Sequence, residues 1–180
     1  RGGVLVDRDI AALYRVLEAG PLLVSMSLPS TERIHGLATA IKERLGAHGL
    51  ESYLVFTRGS RPRLESLRQG RNHLTVVSAL TAEALGPPDL ETFLVLSPGT
   101  FVREHRVYFV EGRTSDGRRR RVAADPSSFD FQRLTQLEFA DRDVELVPLN
   151  YLVAVREMLA GTVDEVILDV DDALMRFPPS

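Results

Sequence analysis

The stretch that decides the fold is PLLVSMSLPSTERIHGLATAIKERL, residues 21–45, which contains a strand, a turn and the start of a helix. Residues 22–28 are short, apolar and bounded by prolines, a pattern that predicts a buried strand. From Ser30 onward the apolar residues recur at helical spacing, and Ser30 or Thr31 is the expected N-cap. A buried strand that leads directly into a capped helix leaves backbone N–H groups at its carboxyl end, where an anion or a polar ligand can bind.

The same unit recurs through the first half of the chain and predicts an α/β fold. Strands at residues 52–56, 74–77 and 92–96 alternate with helices that begin near Ser60 and Ala79. Alternation of this kind is typical of a mainly parallel sheet with helices on its faces.

The second half contains the same kinds of elements in a different order. Strands at residues 107–110 and 121–124 flank a polar loop and are predicted to pair as a hairpin. A helix follows, and the spacing of Ser127 and Asp130 matches a capping box. The remaining predicted elements are a strand at 143–147, a helix at 151–159 and a strand at 163–170.

A break at residues 97–100, SPGT, divides the chain and predicts two lobes joined by a hinge. We expect lobe I to contain residues 20–96 and 165–180, and lobe II to contain residues 97–164. Residues 1–19 carry a helical pattern that ends at a glycine, and we interpret them as a linker. Because the sequence begins with arginine rather than methionine, we expect it to be a piece of a longer polypeptide or to have lost a leader.

Composition limits the classes of partner. With 22 basic and 25 acidic residues the formal net charge is −3, so no global field draws the chain onto nucleic acid or a membrane. The absence of cysteine excludes disulfides, thiolate zinc sites and cysteine nucleophiles. No apolar run approaches the roughly 20 residues that span a bilayer. We therefore expect a cytoplasmic protein without a membrane partner.

Small polar residues begin four predicted helices, each directly after a strand: Ser30, Ser60, Ser127 and Asn150. In open α/β sheets, ligands bind beyond the carboxyl ends of the strands. If the two lobes face each other there, the four helix starts share one cleft. The alternative is that serine and asparagine are ordinary caps at these positions.

Two arginines, Arg58 and Arg61, flank the second of these strand-to-helix turns, at Ser60. A cation near a helix N-terminus opposes the helix dipole and requires an anion nearby. That anion is either a bound ligand or a surface carboxylate such as Glu65. The arginine run at residues 118–121 is interpreted as a solvated loop, with phosphate or DNA contact as the alternative.

Catalytic and metal-binding patterns are weak. The four histidines lack metal-ligand spacing, and none of the common nucleotide, hydrolase or zinc motifs occurs. An apolar strand that ends in Asp169 and Asp171 is one way to present a phosphoryl-transfer aspartate. So few residues follow it that structure or ligand contact is the preferred interpretation. We expect no cofactor, no metal and no catalysis.

Several segments carry a resemblance to a known family. They are SLPSTERIHGLATAIKERL (27–45), TRGSRPRLESLRQGRNHLTVVSAL (57–80), LSPGTFVREHRVYF (96–109), ADPSSFDFQRLT (124–135) and LNYLVAVREMLAGTVDEVI (149–167). In this order they resemble the C-terminal domain of the YhfZ family of bacterial helix-turn-helix regulators. That domain is similar to type II periplasmic binding proteins and to the effector domains of LysR-type regulators. The resemblance implies a two-lobed, cleft-binding fold without catalysis.

The resemblance also implies the site and the partners. An N-terminal winged helix would precede this segment and contact DNA, and the protein would be a homodimer that binds a small-molecule effector. The ligand-facing turns implied are those of Pro29, Ser30 and Thr31, of Arg58, Gly59 and Ser60, of Ser78, of Thr100, of Asp125, Ser127 and Ser128, and of Asn150 and Tyr151.

These features support three hypotheses. The first is a sensor domain that closes on a small anionic metabolite. The second is a solute receptor of an importer, which has the same fold and would carry a signal peptide. The third is a metal-dependent phosphoryl-transfer enzyme that uses Asp169 and Asp171.

Overall fold

A computed structural model of the chain describes residues 20–86, 88, 90–113 and 117–177. The expected linker within residues 1–19 lies outside these ranges, and so do residues 114–116 of the loop proposed for the hairpin. Within the described part of the chain, no helix is both long and apolar enough to cross a membrane.

The first half forms a three-stranded parallel sheet. Its order is β2-β1-β3, and its strands are β1 (Leu22–Met26), β2 (Ser52–Phe56) and β3 (Leu74–Thr75). Each strand leads into a helix: α1 (Glu32–Ala47), α2 (Ser60–Arg68) and α3 (Ala79–Leu85). The predicted alternation of strands and helices is therefore confirmed. Met26 packs with Ile34 and Ala38, so the apolar stripe of α1 covers one face of this sheet.

The second half forms a four-stranded mixed sheet of order β4-β7-β5-β6. Its strands are β4 (His105–Phe109), β5 (Arg120–Ala124), β6 (Val144–Pro148) and β7 (Glu165–Asp169). Its helices are α4 (Phe129–Glu138), α5 (Tyr151–Ala160) and α6 (Val170–Arg176). Strands β5, β6 and β7 run parallel, and β4 runs antiparallel to β7.

The order of this sheet corrects two predictions. The predicted hairpin is wrong, because β7 lies between β4 and β5 and pairs with both. The sequence predicts the strand at Glu165–Asp169 in lobe I, but this strand lies in the second sheet, between β4 and β5. Strand β7 can occupy this central position because both of its faces are apolar. Val166 and Leu168 pack on one side, and Ile167 packs on the other.

The predicted strand at residues 92–96 is absent. These residues have no ladder partner, and Phe93 and Val95 are 71% and 77% exposed. The apolar pattern reports a preference for extended backbone, whereas a strand also requires a partner with free N–H and C=O groups. Strand β3 is paired through only two residues, and nothing in the described ranges pairs with its outer edge. The following turn is closed by a hydrogen bond from the Thr100 N–H to the Ser97 carbonyl.

Half of the arginine run is in the second sheet: Arg118 and Arg119 are exposed and precede β5, whereas Arg120 and Arg121 lie in it. Its ion pairs join Arg118 to Asp164, Arg119 to Asp143 and Arg120 to Glu165. Glu165 is buried at the start of β7 and also binds Arg142. Burying this carboxylate without cationic partners would cost several kcal/mol. The run therefore has a structural role around β7.

Candidate functional site

The carboxyl edges of the two sheets face each other, and the turns that follow β2 and β5 meet there. Arg58, directly after β2, donates from Nε and Nη2 to Ser127 Oγ at 3.1 and 2.7 Å. Its Nη2 also lies 3.1 and 3.2 Å from the two carboxylate oxygens of Asp125. A charge-assisted contact of this kind joins the halves at the edge where ligands bind in open α/β folds.

Asp125 is the centre of this contact and is 2% exposed. Besides Arg58, its carboxylate accepts hydrogen bonds from the hydroxyl and N–H of Ser127 and from the N–H of Tyr151. Burial alone would raise the pKa of this carboxyl, but these hydrogen bonds and the Arg58 charge outweigh it and lower the pKa. The Tyr151 contact places the first turn of α5 beside Asp125. Asp125 is therefore ionised at neutral pH.

Gly59 allows the two turns to touch. Its φ of +80° lies in the region that favours glycine, and a Cβ built there would be 2.3 Å from the carbonyl oxygen of Ser127. That separation is far inside van der Waals contact, so any side chain would force the halves apart. The sequence Arg58-Gly59-Ser60 thus combines a cation that binds across the gap with a residue small enough for close approach.

A second set of contacts joins α3 and α2 to α4. Ser78 and Thr81 donate their hydroxyl hydrogens to Asp130, while Ser78 also caps α3 by accepting from the Thr81 N–H. Arg61 lies over the ring of Phe129, with the guanidinium carbon 5.2 Å from the ring centroid. The predicted capping box is wrong, because Ser128 caps α4 and Asp130 binds across the gap instead.

Three rings line the second half at this edge. His105 meets Phe131 edge-on at 5.6 Å between centroids, and Phe131 stacks on Tyr151 at 5.3 Å. Burial lowers the pKa of His105, although Asp169 and Asp130 act in the opposite direction. Burial also raises the pKa of Asp169, whose carboxylate accepts from the Asp171 N–H. The faces of Phe131 and Tyr151, with His105 edge-on to Phe131, provide an apolar wall beside the polar contacts.

The floor of the first half carries Ser60, which the sequence-based site named, together with Arg63 and Ser27, which it omitted. Arg63 is 4% exposed, and its guanidinium donates to the carbonyls of Thr57 and Val76 at 2.8 and 3.2 Å. The hydroxyls of Ser27 and Ser60 are buried and have no hydrogen-bond partner. Two features of the sequence could have identified these residues. Arg63 lies three residues after Ser60, on the same face of α2, and Ser27 interrupts an apolar run.

The structure brings together most of the residues named from the sequence. Those that contact the other half are Arg58, Gly59, Arg61, Ser78, Asp125 and Ser127. Tyr151 donates its N–H to Asp125, and Ser60, Ser128 and Asn150 lie at the adjoining helix starts. Asn150 and Ser128 cap the adjoining helices α5 and α4. The role of all these residues in ligand binding stays a prediction.

The remaining named residues lie elsewhere. Pro29, Ser30 and Thr31 line an open depression of about 330 Å³ that Met175 borders, and Thr31 caps α1. Thr100 lies in the turn that joins the two halves. In the described ranges, no hydrogen bond or ion pair links these residues to Asp125. Only part of the predicted set of helix starts therefore meets in one place.

The aspartates after β7 have structural contacts. Asp169 caps α6, and Asp171 forms ion pairs with Arg33 at 2.6 Å and Arg103 at 2.8 Å. Asp172 pairs with Arg176. Over the ranges that the structure covers, no three histidine or acidic side chains are grouped to hold a metal ion.

Comparisons with known proteins agree with this geometry. Residues 9–177 match the family model of the YhfZ C-terminal domain. The chain is 34% identical over 170 residues to the protein YhfZ of Escherichia coli strain K12, covering 94% of this chain and 55% of that protein. It therefore spans about half the length of the curated relative that it matches.

Solved structures identify the fold. The crystal structure of YhfZ from Shigella flexneri has a TM-score of 0.73 at 33% identity and covers 93% of this chain and 72% of that chain. An ancestral arginine-binding protein bound to arginine has a TM-score of 0.59 at 16% identity, over 87% and 73% of the two chains. The fold is the α/β type II periplasmic-binding-protein-like fold, as the sequence resemblance predicted.

Proposed function

Because this chain belongs to the YhfZ C-terminal domain family, we propose that it is the ligand-sensing domain of a bacterial transcriptional regulator and binds a small anionic metabolite between its halves. The observation that supports this most is the contact of Arg58 with Asp125 and Ser127. It joins the carboxyl edges of two sheets, where ligands of open α/β folds bind. A contact made of a few polar groups can be exchanged for contacts to a ligand.

The mechanism is a shift between an open and a closed arrangement. The halves separate at Arg58 and Asp125, a ligand enters beside the ring of Tyr151, and closure encloses it. A ligand stabilises the closed arrangement only if it binds that arrangement more tightly than it binds the open one. In the whole regulator, a cytoplasmic homodimer in this proposal, closure changes the spacing of two DNA-binding domains that precede this one.

The likeness to solute-binding proteins supports a small ligand. The solved neighbour that is bound to arginine holds a molecule with a carboxylate and a cationic group. The wall of His105, Phe131 and Tyr151 in this chain suits a ligand with an apolar or planar part as well.

Ligand screening with a shape measurement tests the proposal. The chain would be screened by thermal shift against carboxylates, sulfonates, phosphates, amines and neutral sugars, and each hit would be followed by calorimetry. We expect at least one hit to stabilise the protein, and its affinity to fall roughly tenfold in Ser127→Ala, where both charge-assisted hydrogen bonds from Arg58 to the Ser127 hydroxyl are lost. Asp143→Ala, which removes the partner of Arg119 at the far edge of the second sheet, is the control.

Two results would contradict it. One is a panel in which no compound stabilises the protein. The other is a hit whose affinity is unchanged in Ser127→Ala and in Tyr151→Ala, which would place the ligand away from the gap.

A solute receptor of an importer is the second candidate, because the fold is shared with an arginine-binding protein. The two functions differ in what the ligand changes. In a regulator, adding the identified ligand to the full-length protein changes its affinity for operator DNA, measured by anisotropy. A receptor shows no such change, and the full-length protein would be exported by cells.

A further inference from the structure

Arg63 is a buried cation without a carboxylate partner. It is 4% exposed, and within the described ranges no carboxylate oxygen lies within ion-pair distance of its guanidinium. Both of its hydrogen bonds are to neutral backbone carbonyls. Burial lowers its pKa, with Asp130 and Tyr151 acting in the opposite direction. A buried cation without a carboxylate partner lowers the free energy of unfolding. This arrangement therefore favours the binding of a further, anionic group.

Two unsatisfied hydroxyls lie beside this guanidinium. Ser60 is 2% exposed and sits three residues before Arg63, on the same face of α2. Ser27 is the residue after β1. Because Met26 at the end of β1 pairs with Phe56 at the end of β2, Ser27 lies beside Thr57, whose carbonyl accepts a hydrogen bond from Arg63. Both hydroxyls are buried without partners. Because buried polar groups in proteins are nearly always hydrogen-bonded, these two hydroxyls are free to bond to a ligand.

The N-terminus of α2 adds further donors at the same place. Its cap is Gly59, which supplies no side-chain hydrogen bond to the first turn. In contrast, side-chain oxygens cap α1, α3, α4 and α5. Pro62 has no N–H, but the remaining first-turn N–H groups and the dipole of α2 favour a negative charge in front of it.

The neighbouring arginines are already engaged. Arg58 pairs with Asp125, and Arg61 lies over Phe129. Asp130, the nearest acid to Arg63, accepts hydrogen bonds from Ser78 and Thr81. Arg61 is exposed to solvent, so Arg63 is the one buried arginine in the described ranges without a carboxylate partner, and one negative charge can neutralise it.

We infer that Arg63, Ser27 and Ser60 form the subsite for the anionic end of the ligand, and that this end is a monoanion, a carboxylate or a sulfonate. A guanidinium binds such a planar or trigonal group through two parallel hydrogen bonds, and the hydroxyls donate to the remaining lone pairs. A dianionic phosphate would leave an extra buried negative charge next to Asp130. The inference rests on the proposed function, because these hydroxyls are reached only when the halves separate.

Matched probes test the charge of the ligand. The whole chain would be titrated with acetate, methanesulfonate and inorganic phosphate, and with L-arginine against agmatine, which differs from it by loss of the carboxylate. Binding would be followed by the NMR signal of the Arg63 Nε–H group. We expect acetate, methanesulfonate and L-arginine to shift this signal, and agmatine and phosphate to bind at least tenfold more weakly than L-arginine and methanesulfonate, respectively.

A hydroxyl deletion separates ligand binding from folding. Ser60→Ala removes a hydroxyl that has no partner in the protein, so the free variant should be as stable as the parent or more stable, while binding of L-arginine and methanesulfonate weakens roughly tenfold. Ser52→Ala is the control, since Ser52 also has a buried unsatisfied hydroxyl but lies at the opposite end of β2. Arg63→Lys, which keeps the charge, should retain part of the binding.

The possible failures are distinct. If agmatine binds as well as L-arginine, or if Ser60→Ala leaves affinity unchanged, the subsite is wrong while a ligand between the halves remains. If none of the anions shifts the Arg63 signal but the broad screen yields a ligand at the gap, the subsite is again wrong. If the broad screen also fails, the proposed function fails with it.

Discussion

The two halves meet through two sets of charges that differ in their burial. At the strand edges, Arg58 binds Asp125, which is almost fully buried and has four donor groups around it. Near the hinge, Asp171 lies between Arg33 and Arg103, which are 40% and 47% exposed. Buried, fully hydrogen-bonded ion pairs lose much when one member is removed, whereas exposed pairs contribute little. We therefore expect the buried contact to contribute more than the exposed one to the stability of the assembled halves.

Removing the carboxylate at the centre of the buried contact should have the largest effect. Asp125→Ala leaves the Arg58 guanidinium and the N–H groups of Ser127 and Tyr151 without their acceptor. We expect a loss of about 3 kcal/mol in the free energy of unfolding, measured by urea denaturation. Asp171→Ala is the matched control, and equal losses in the two variants would show that burial does not distinguish the contacts.

The close approach at Gly59 should be the next most sensitive feature. Gly59→Ala should cost about 2 kcal/mol and increase the radius of gyration in solution scattering, because the added Cβ meets the Ser127 carbonyl. Gly70→Ala is the control, since Gly70 also has a positive φ of 67° but an added Cβ meets nothing. It should cost only about 1 kcal/mol, the backbone term. A larger radius in both variants would argue against a specific clash.

Acid should lower the stability of the folded protein in two stages. His105 has a lowered pKa in the folded protein, so its protonation favours unfolding, and stability falls as pH drops below its usual value of about 6.5. The pKa of Asp125 is also lowered, so its contribution is present above the usual value of about 3.9 and is lost as pH falls through the folded pKa. His105→Gln should remove the first stage in urea denaturation between pH 7 and 5. A pH profile identical to the parent would contradict this assignment.

Neutralising the exposed contact should have the smallest effect. Asp171→Asn loses two ion pairs to half-exposed arginines, and we expect a change of about 0.5 kcal/mol that 0.5 M salt abolishes. Denaturation at low and high salt measures it. A loss that persists at high salt would mean that this contact also behaves as a buried one.

Elements governed by neighbouring residues were predictable from the sequence. The bounds of β2 and α3 agree with prediction, and Gly161 ends α5 with a φ of 85° as its position suggests. Caps and turn residues act over three or four positions, so the sequence contains the information directly. Strand partners do not follow from such local rules. Nothing near residue 107 indicates that β4 pairs with a strand nearly 60 residues later instead of with β5.

The candidate site shows the same limit. Arg58 and Arg63 are five residues apart, and local reasoning selected the first as the ligand-binding cation. The structure pairs Arg58 with a residue 67 positions away and leaves Arg63 without a carboxylate partner. Which of two nearby arginines is neutralised depends on what the other sheet presents, and only the assembled fold determines that.

The central position of β7 has a consequence for folding during synthesis. The first sheet uses residues up to Thr75 and can assemble early, whereas the second lacks its middle strand until residues 165–169 emerge. Until then β4 has no neighbour, and the apolar side chains on both sides of the future strand remain accessible to other chains. The nascent second half is therefore the stage at which this protein most depends on chaperones, and substitutions in β7 should reduce soluble yield more than they reduce the stability of molecules that have already folded.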